Sequence, residues 1–365
     1  NDALQDQVNR YMKLNPNVEI EYIIVPGEDL WTRLAVMLEA GTGPDIMGVY
    51  YPTIVALVNA GRLDSAPDFV VKDIEENFLP FAIEGTKVHG TVYGYIQHIG
   101  IVVPIINVDM WNEYGLEPPD NWEEFVETIK EMDVYSNGRL DVAGAQFDHW
   151  TIDTLIGWST LLWANGGRIL TEDMKLASFN SPEGIKATQM YLDLTHPELG
   201  EDAFILELAA STSTGPWNRS YYEDVAPYLN YRALGPLKGV DGERITNAYS
   251  WLWTVNESIS EQQKLEAWKF LKWLSGGEEY LWMALEAGFV PIRKDNAEDP
   301  RVRDDEWLST YAWSLNFGRK YPEHNNWPEI QEAIYKQLQR VFVREISVEE
   351  GLRLAERDVN KILGN

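Results

Sequence analysis

The sequence predicts an α/β protein of two lobes, each a mostly parallel sheet flanked by helices, and three observations point there. The chain has 365 residues, more than one hydrophobic core comfortably serves, and chains of that size divide. Its 45% hydrophobic fraction is enough to build two cores. From the start, helical and strand-like apolar patterns alternate, as they do where crossover helices join strands of one sheet.

The elements follow in order. Leu4 to Leu14 has the apolar spacing of a helix, and Asn15-Pro16-Asn17 stops it. Val18 to Ile23 alternates apolar and polar residues as a strand does. A helix fits Leu30 to Ala40 closed by Gly41, a short strand Ile46 to Tyr50, and another helix Thr53 to Ala60 capped by Gly61. Over Asn121 to Met132 the residues Trp122, Phe125, Val126 and Ile129 share a face, with Glu124 at the capping-box position and either Asn121 or Asp120 as the cap. The same grammar returns at Ser260 to Leu274, where Ser260 and Gln263 form a capping-box pair and Leu265, Trp268, Leu271 and Leu274 line one side.

Composition removes several classes of function. The longest apolar run, Ile99 to Ile106, is interrupted by Gly100 and Pro104, too short and too broken to span a bilayer. The chain opens Asn1-Asp2-Ala3 with neither a charged nor an apolar leader region, so any secretion signal is expected to have been removed. With no cysteine there is no disulfide, thiolate metal site or cysteine nucleophile. Fifty-eight acidic against 30 basic residues give a net charge of -28, which opposes nucleic acid and anionic membranes as partners. The acidic stretches Asp295 to Asp299 and Asp304 to Glu306 lack the ligand spacing of a calcium loop and read as solvated. His89, His98, His149, His196 and His324 are scattered without metal-ligand spacing, so neither a metal nor a cofactor is expected.

No phosphate loop, H-E-x-x-H or G-x-S-x-G motif occurs. The enzyme reading that survives is a glycoside hydrolase, which needs only two carboxylates in an aromatic cleft. In a chain with 58 acidic residues a carboxylate pair carries little information. The figure that calls for a cause is aromatic: 15 Trp and 18 Tyr. A Trp ring offers a flat apolar face that suits the C–H faces of a pyranose, although most single Trp residues belong to cores.

Motifs then accumulate in order: Gly43-Pro44-Asp45-Ile46, Ala60-Gly61-Arg62-Leu63, Gly90-Thr91-Val92-Tyr93-Gly94, Asn107-Val108-Asp109-Met110-Trp111, Asn165-Gly166-Gly167, Gly215-Pro216-Trp217, and Gly288-Phe289-Val290-Pro291. With these the chain resembles, nearly end to end, the extracellular solute-binding proteins of ABC importers, the family that includes maltodextrin receptors. The sequence departs from that family's pattern with Ile96 in place of a usual proline and Ser211 in place of a usual methionine. It also starts inside the first helix, where relatives begin with a strand.

The resemblance implies a periplasmic-binding-protein fold with a hinge, lobes at residues 1–107 with 254–302 and 108–253 with 303–365, and a monomer outside the cytoplasm, periplasmic or lipid-anchored. It implies a non-enzymatic receptor that closes on a carbohydrate and delivers it to membrane permease subunits, a non-sugar solute being the other ligand class. Tyr50, Tyr51, Gln97 and His98 are then expected to face the ligand, since open α/β sheets bind at the carboxyl ends of their strands. The resemblance places Gln97, His98 and Asn247 as polar contacts to hydroxyls, with a satisfied structural histidine an equal reading of His98. It places Trp217, Trp251 and Trp327 as stacking rings, while Trp122, Trp268 and Trp273 fall on amphipathic faces and read as core.

Overall fold

The computed structural model describes residues 2–24 and 30–364; Asn1, on which the reading of a removed leader rests, lies outside them. The chain divides into two compact units, Asn1–Ile99 with Ser250–Asp305, and Gly100–Tyr249 with Glu306–Asn365. The sequence put the first two passages a few residues later. Both fall inside continuous strands, Gly94–Ile101 and Thr246–Val255.

In the first unit, strand Ile46–Tyr50 pairs with the second half of Thr246–Val255, from Ile46 opposite Val255 to Tyr50 opposite Trp251, and Gly94–Ile101 joins the same sheet. That first pair is antiparallel, a correction to the mostly parallel sheets expected. The long strand arrives from some 200 residues further on, running the opposite way, and not through a crossover helix. Val18 to Ile23 forms no strand, because alternation needs a hydrogen-bonding neighbour and the segment has none among the described residues; the Ile20 amide donates instead to Met12 Sδ at 3.3 Å.

Helix Tyr51–Asn59 starts two residues earlier than its pattern suggested, with a proline in its first turn, where a missing N–H costs nothing. Helix Glu261–Leu274 carries the expected capping box, with Ser260 Oγ accepting from the Gln263 amide and the Gln263 side chain returning to the Ser260 backbone. Along it Lys264 is buried among the carboxylates of Asp64, Glu257 and Glu261 at 3.3, 3.0 and 3.2 Å, and Trp268 donates Nε1 to Asp64 at 2.7 Å. Trp268 is buried as expected, while Trp273 is half-buried against Tyr11.

The second unit centres on helix Thr154–Ala164, which is buried along nearly its whole length. Around it lie helix Pro182–Asp193, the amphipathic pair Trp327–Phe342 and Val348–Ile362, and helix Trp122–Lys130, whose Trp122, Phe125, Val126 and Ile129 enter the core as their spacing required. Asn121 is the cap of that last helix, accepting from the Glu124 amide at 2.9 Å; Asp120 instead pairs with Arg244 and, at 2.6 Å, with Lys238. Strand Val103–Asn107 lies between Ser211–Thr214 and Tyr231–Ala233, antiparallel to both, and Thr246–Asn247 makes the parallel pair with Gly318–Arg319. No described helix is long and apolar enough to cross a membrane.

Candidate ligand-binding site

Each unit presents its own group of aromatic side chains. In the first, Tyr50 ends its strand and Trp251 lies opposite it in register, so the pairing brings the rings to a 5.4 Å centroid separation. His98, from the adjoining strand, stacks on Trp251 at 5.8 Å with planes 18° apart, and its other neighbour is Phe289 at 5.2 Å. Tyr50, His98 and Trp251 are all partly exposed. His98 Nδ1 is buried without a hydrogen-bond partner, and burial pushes its pKa down to about 4, so the ring is neutral near pH 7. A neutral imidazole backed by aromatic rings offers a hydroxyl either a donor or an acceptor.

Gln97, the preceding residue, borders a cavity. Its Oε1 lies over Gly48, and with Trp253, Tyr280 and Phe289 it lines a cavity of about 220 Å³ in the same unit. Tyr51 is a correction. It is 2% exposed and its hydroxyl donates to the Lys87 carbonyl at 2.7 Å, because the helix that begins there turns the ring inward.

In the second unit the Trp217 ring is accessible, 40% exposed just ahead of helix Asn218–Val225. The Trp327 ring is not. It is 1% exposed, packed at 4.7 Å against Tyr321, and a ring enclosed by its own core has no face to give a sugar. Its amphipathic helix turns the first residue inward with Ile330, Ile334 and Leu338. Asn247 is also interior: its backbone amide donates to Thr160 Oγ1 at 2.9 Å and its side chain to Ser159 Oγ at 3.0 Å, which pins the long strand to helix Thr154–Ala164.

One ring was missed. Trp150 lies partly exposed in a loop wired from several sides. The Asp148 carboxylate accepts from the Trp150 and Thr151 amides, and the carbonyls of Asp148 and Trp150 accept from Tyr191 and Tyr335 at 2.6 and 2.7 Å. With Glu201, Asp202 and Leu206 the ring borders an open cavity of about 500 Å³. In the same loop burial and then the charge of Asp148 push the Asp153 carboxyl upward. The signal was an Asx turn with a Trp inside it, ahead of an apolar helix.

Two α/β units joined by three passages, with rings displayed on each, give the architecture of a two-lobed solute receptor. The chain belongs to the bacterial extracellular solute-binding proteins, whose family profile matches residues 1–279. It is 23% identical over 345 residues to the maltotriose-binding protein of Pyrococcus abyssi, covering 91% of this chain and 73% of that one. An erythritol/L-threitol-binding protein of Mycolicibacterium smegmatis is 23% identical over 77% of this chain and 65% of its own length. In structure the chain is similar to the sugar-binding protein MalE of Xanthomonas citri, with a TM-score of 0.87 at 17% identity over 100% and 94% of the two chains. It is also similar to the cyclic α-maltosyl-1,6-maltose binding protein of Arthrobacter globiformis, with a TM-score of 0.80 at 23% identity over 99% and 95%.

Proposed function

We propose that this solute-binding protein captures a carbohydrate of more than one sugar unit outside the cytoplasm, as a monomer, and hands it to the permease subunits of an ABC importer without chemical change. The observation that carries the reading is the exposed indole of Trp217, an apolar plane of the size of a pyranose face on a chain otherwise rich in charge. The Tyr50, His98 and Trp251 group and the Trp150 loop offer further aromatic surface with polar atoms beside it, which is the composition of a sugar site. Sugar names among the relatives support the class, and the range from maltotriose to erythritol leaves length and linkage to experiment.

A thermal-shift screen over maltose, maltotriose, maltotetraose, tagatose and erythritol tests it. A binding sugar at a hundredfold its dissociation constant stabilises by about 2.7 kcal/mol. The sugar should be recovered unchanged after incubation, and scattering should show a smaller radius of gyration with ligand. No shift with any sugar would refute the carbohydrate reading, leaving a non-sugar solute; new reducing ends would refute capture without turnover.

A further inference from the structure

The Trp217 indole lies across the backbone of Gly215. A Cβ placed on Gly215 would stand 2.1 Å from both Cη2 and Cζ3 of that ring, well inside contact distance. Gly215 does not need to be glycine for its backbone, since it is not among the glycines with positive φ. What stands nearest in the way of a side chain there is the indole. The two carbonyls that flank this glycine are tied down from one helix, Glu306–Ser314: Tyr311 donates its hydroxyl to the Thr214 carbonyl at 2.7 Å, and Trp307 donates Nε1 to the Pro216 carbonyl at 3.1 Å. Trp307 and Tyr311 are buried, so both anchors are held by packing.

We infer that Gly215 and Trp307 are positioning residues for ligand binding: the glycine lets the Trp217 ring lie flat on the backbone, and the Trp307 bond fixes the loop, so that one indole face is presented before ligand arrives. The inference rests on the reading of Trp217 as a ligand contact. A ring already held in its binding pose loses less freedom on association, and the benefit appears as affinity.

The test uses the full chain labelled with 5-fluorotryptophan, the Trp217 resonance being the one absent from Trp217→Phe. Gly215→Ala should move that resonance with apo melting little changed, and Trp307→Phe should broaden it at some cost in apo stability, since buried volume and one hydrogen bond are lost. Titration with maltotriose, or with the sugar that gives the largest thermal shift, should show about a tenfold loss of affinity for Gly215→Ala, and no further loss when Gly215→Ala is added to Trp217→Ala. An unmoved resonance with unchanged affinity would overturn the inference. A moved resonance with unchanged affinity would overturn instead the reading of Trp217 as a ligand contact. Should Gly215→Ala fail to fold, Trp307→Phe decides alone, because it keeps an aromatic ring at the site and removes the Nε1 donor. Equal affinity losses with and without the Trp217→Ala substitution would show a structural effect only and count against positioning.

Discussion

The two units display aromatic rings in opposite ways. In the first, Tyr50, His98 and Trp251 lean on one another at 5.4 and 5.8 Å. In the second, Trp217 lies on the bare backbone of Gly215 and keeps a face in solvent. A ring that stabilises its neighbours contributes to the apo fold whether or not ligand binds. A ring backed by glycine contributes little to the apo fold and has its surface free for a partner. Mutations should therefore separate into those felt in melting and those felt in affinity.

The largest expected effect is at Trp327. Removing this enclosed ring with Ala should cost about 3–5 kcal/mol of apo stability, read as a lower melting temperature; a wild-type melting curve would show that the ring is not part of the core. Trp251→Ala should be intermediate. Loss of its ring contacts with Tyr50 and His98 should cost about 1–2 kcal/mol and weaken sugar binding as well, and an effect on only stability or only affinity would break the picture of a ring serving both.

A further effect concerns pH. His98 has a folded pKa of about 4, below the ordinary value of about 6.5. As pH falls through that window the unfolded chain takes up a proton that the folded chain refuses, so stability drops toward acid. His149 and His196 are lowered too, also mainly by burial. The difference between wild type and His98→Phe isolates the one ring: the variant should lose less stability between neutral pH and about 4, and parallel curves would contradict a neutral His98.

Much of the fold was legible because its signals are local. The Ser260 and Gln263 capping box, the Asn121 cap and the apolar stripe of Trp122, Phe125, Val126 and Ile129 are each read within a few residues of themselves. Strand direction was not legible, since the partner of Ile46–Tyr50 lies some 200 residues away and arrives from the other unit's segment of the chain. The site was legible in part for the same reason. Trp217 follows a glycine and a proline that mark a turn, whereas Trp327 begins an amphipathic helix, and the phase of that helix, set by Ile330, Ile334 and Leu338, turns it inward. Tyr50 and Tyr51 were expected to act together, yet one ends a strand and the next opens a helix, so their rings part.

Trp217→Ala tests the central claim most directly, by calorimetric titration with the best sugar of the screen alongside apo melting of the same variant. The account predicts a dissociation constant raised tenfold or more, about 1.4 kcal/mol, with the apo melting temperature nearly that of wild type. A collapsed apo fold with affinity retained would show the ring to be structural and would contradict it.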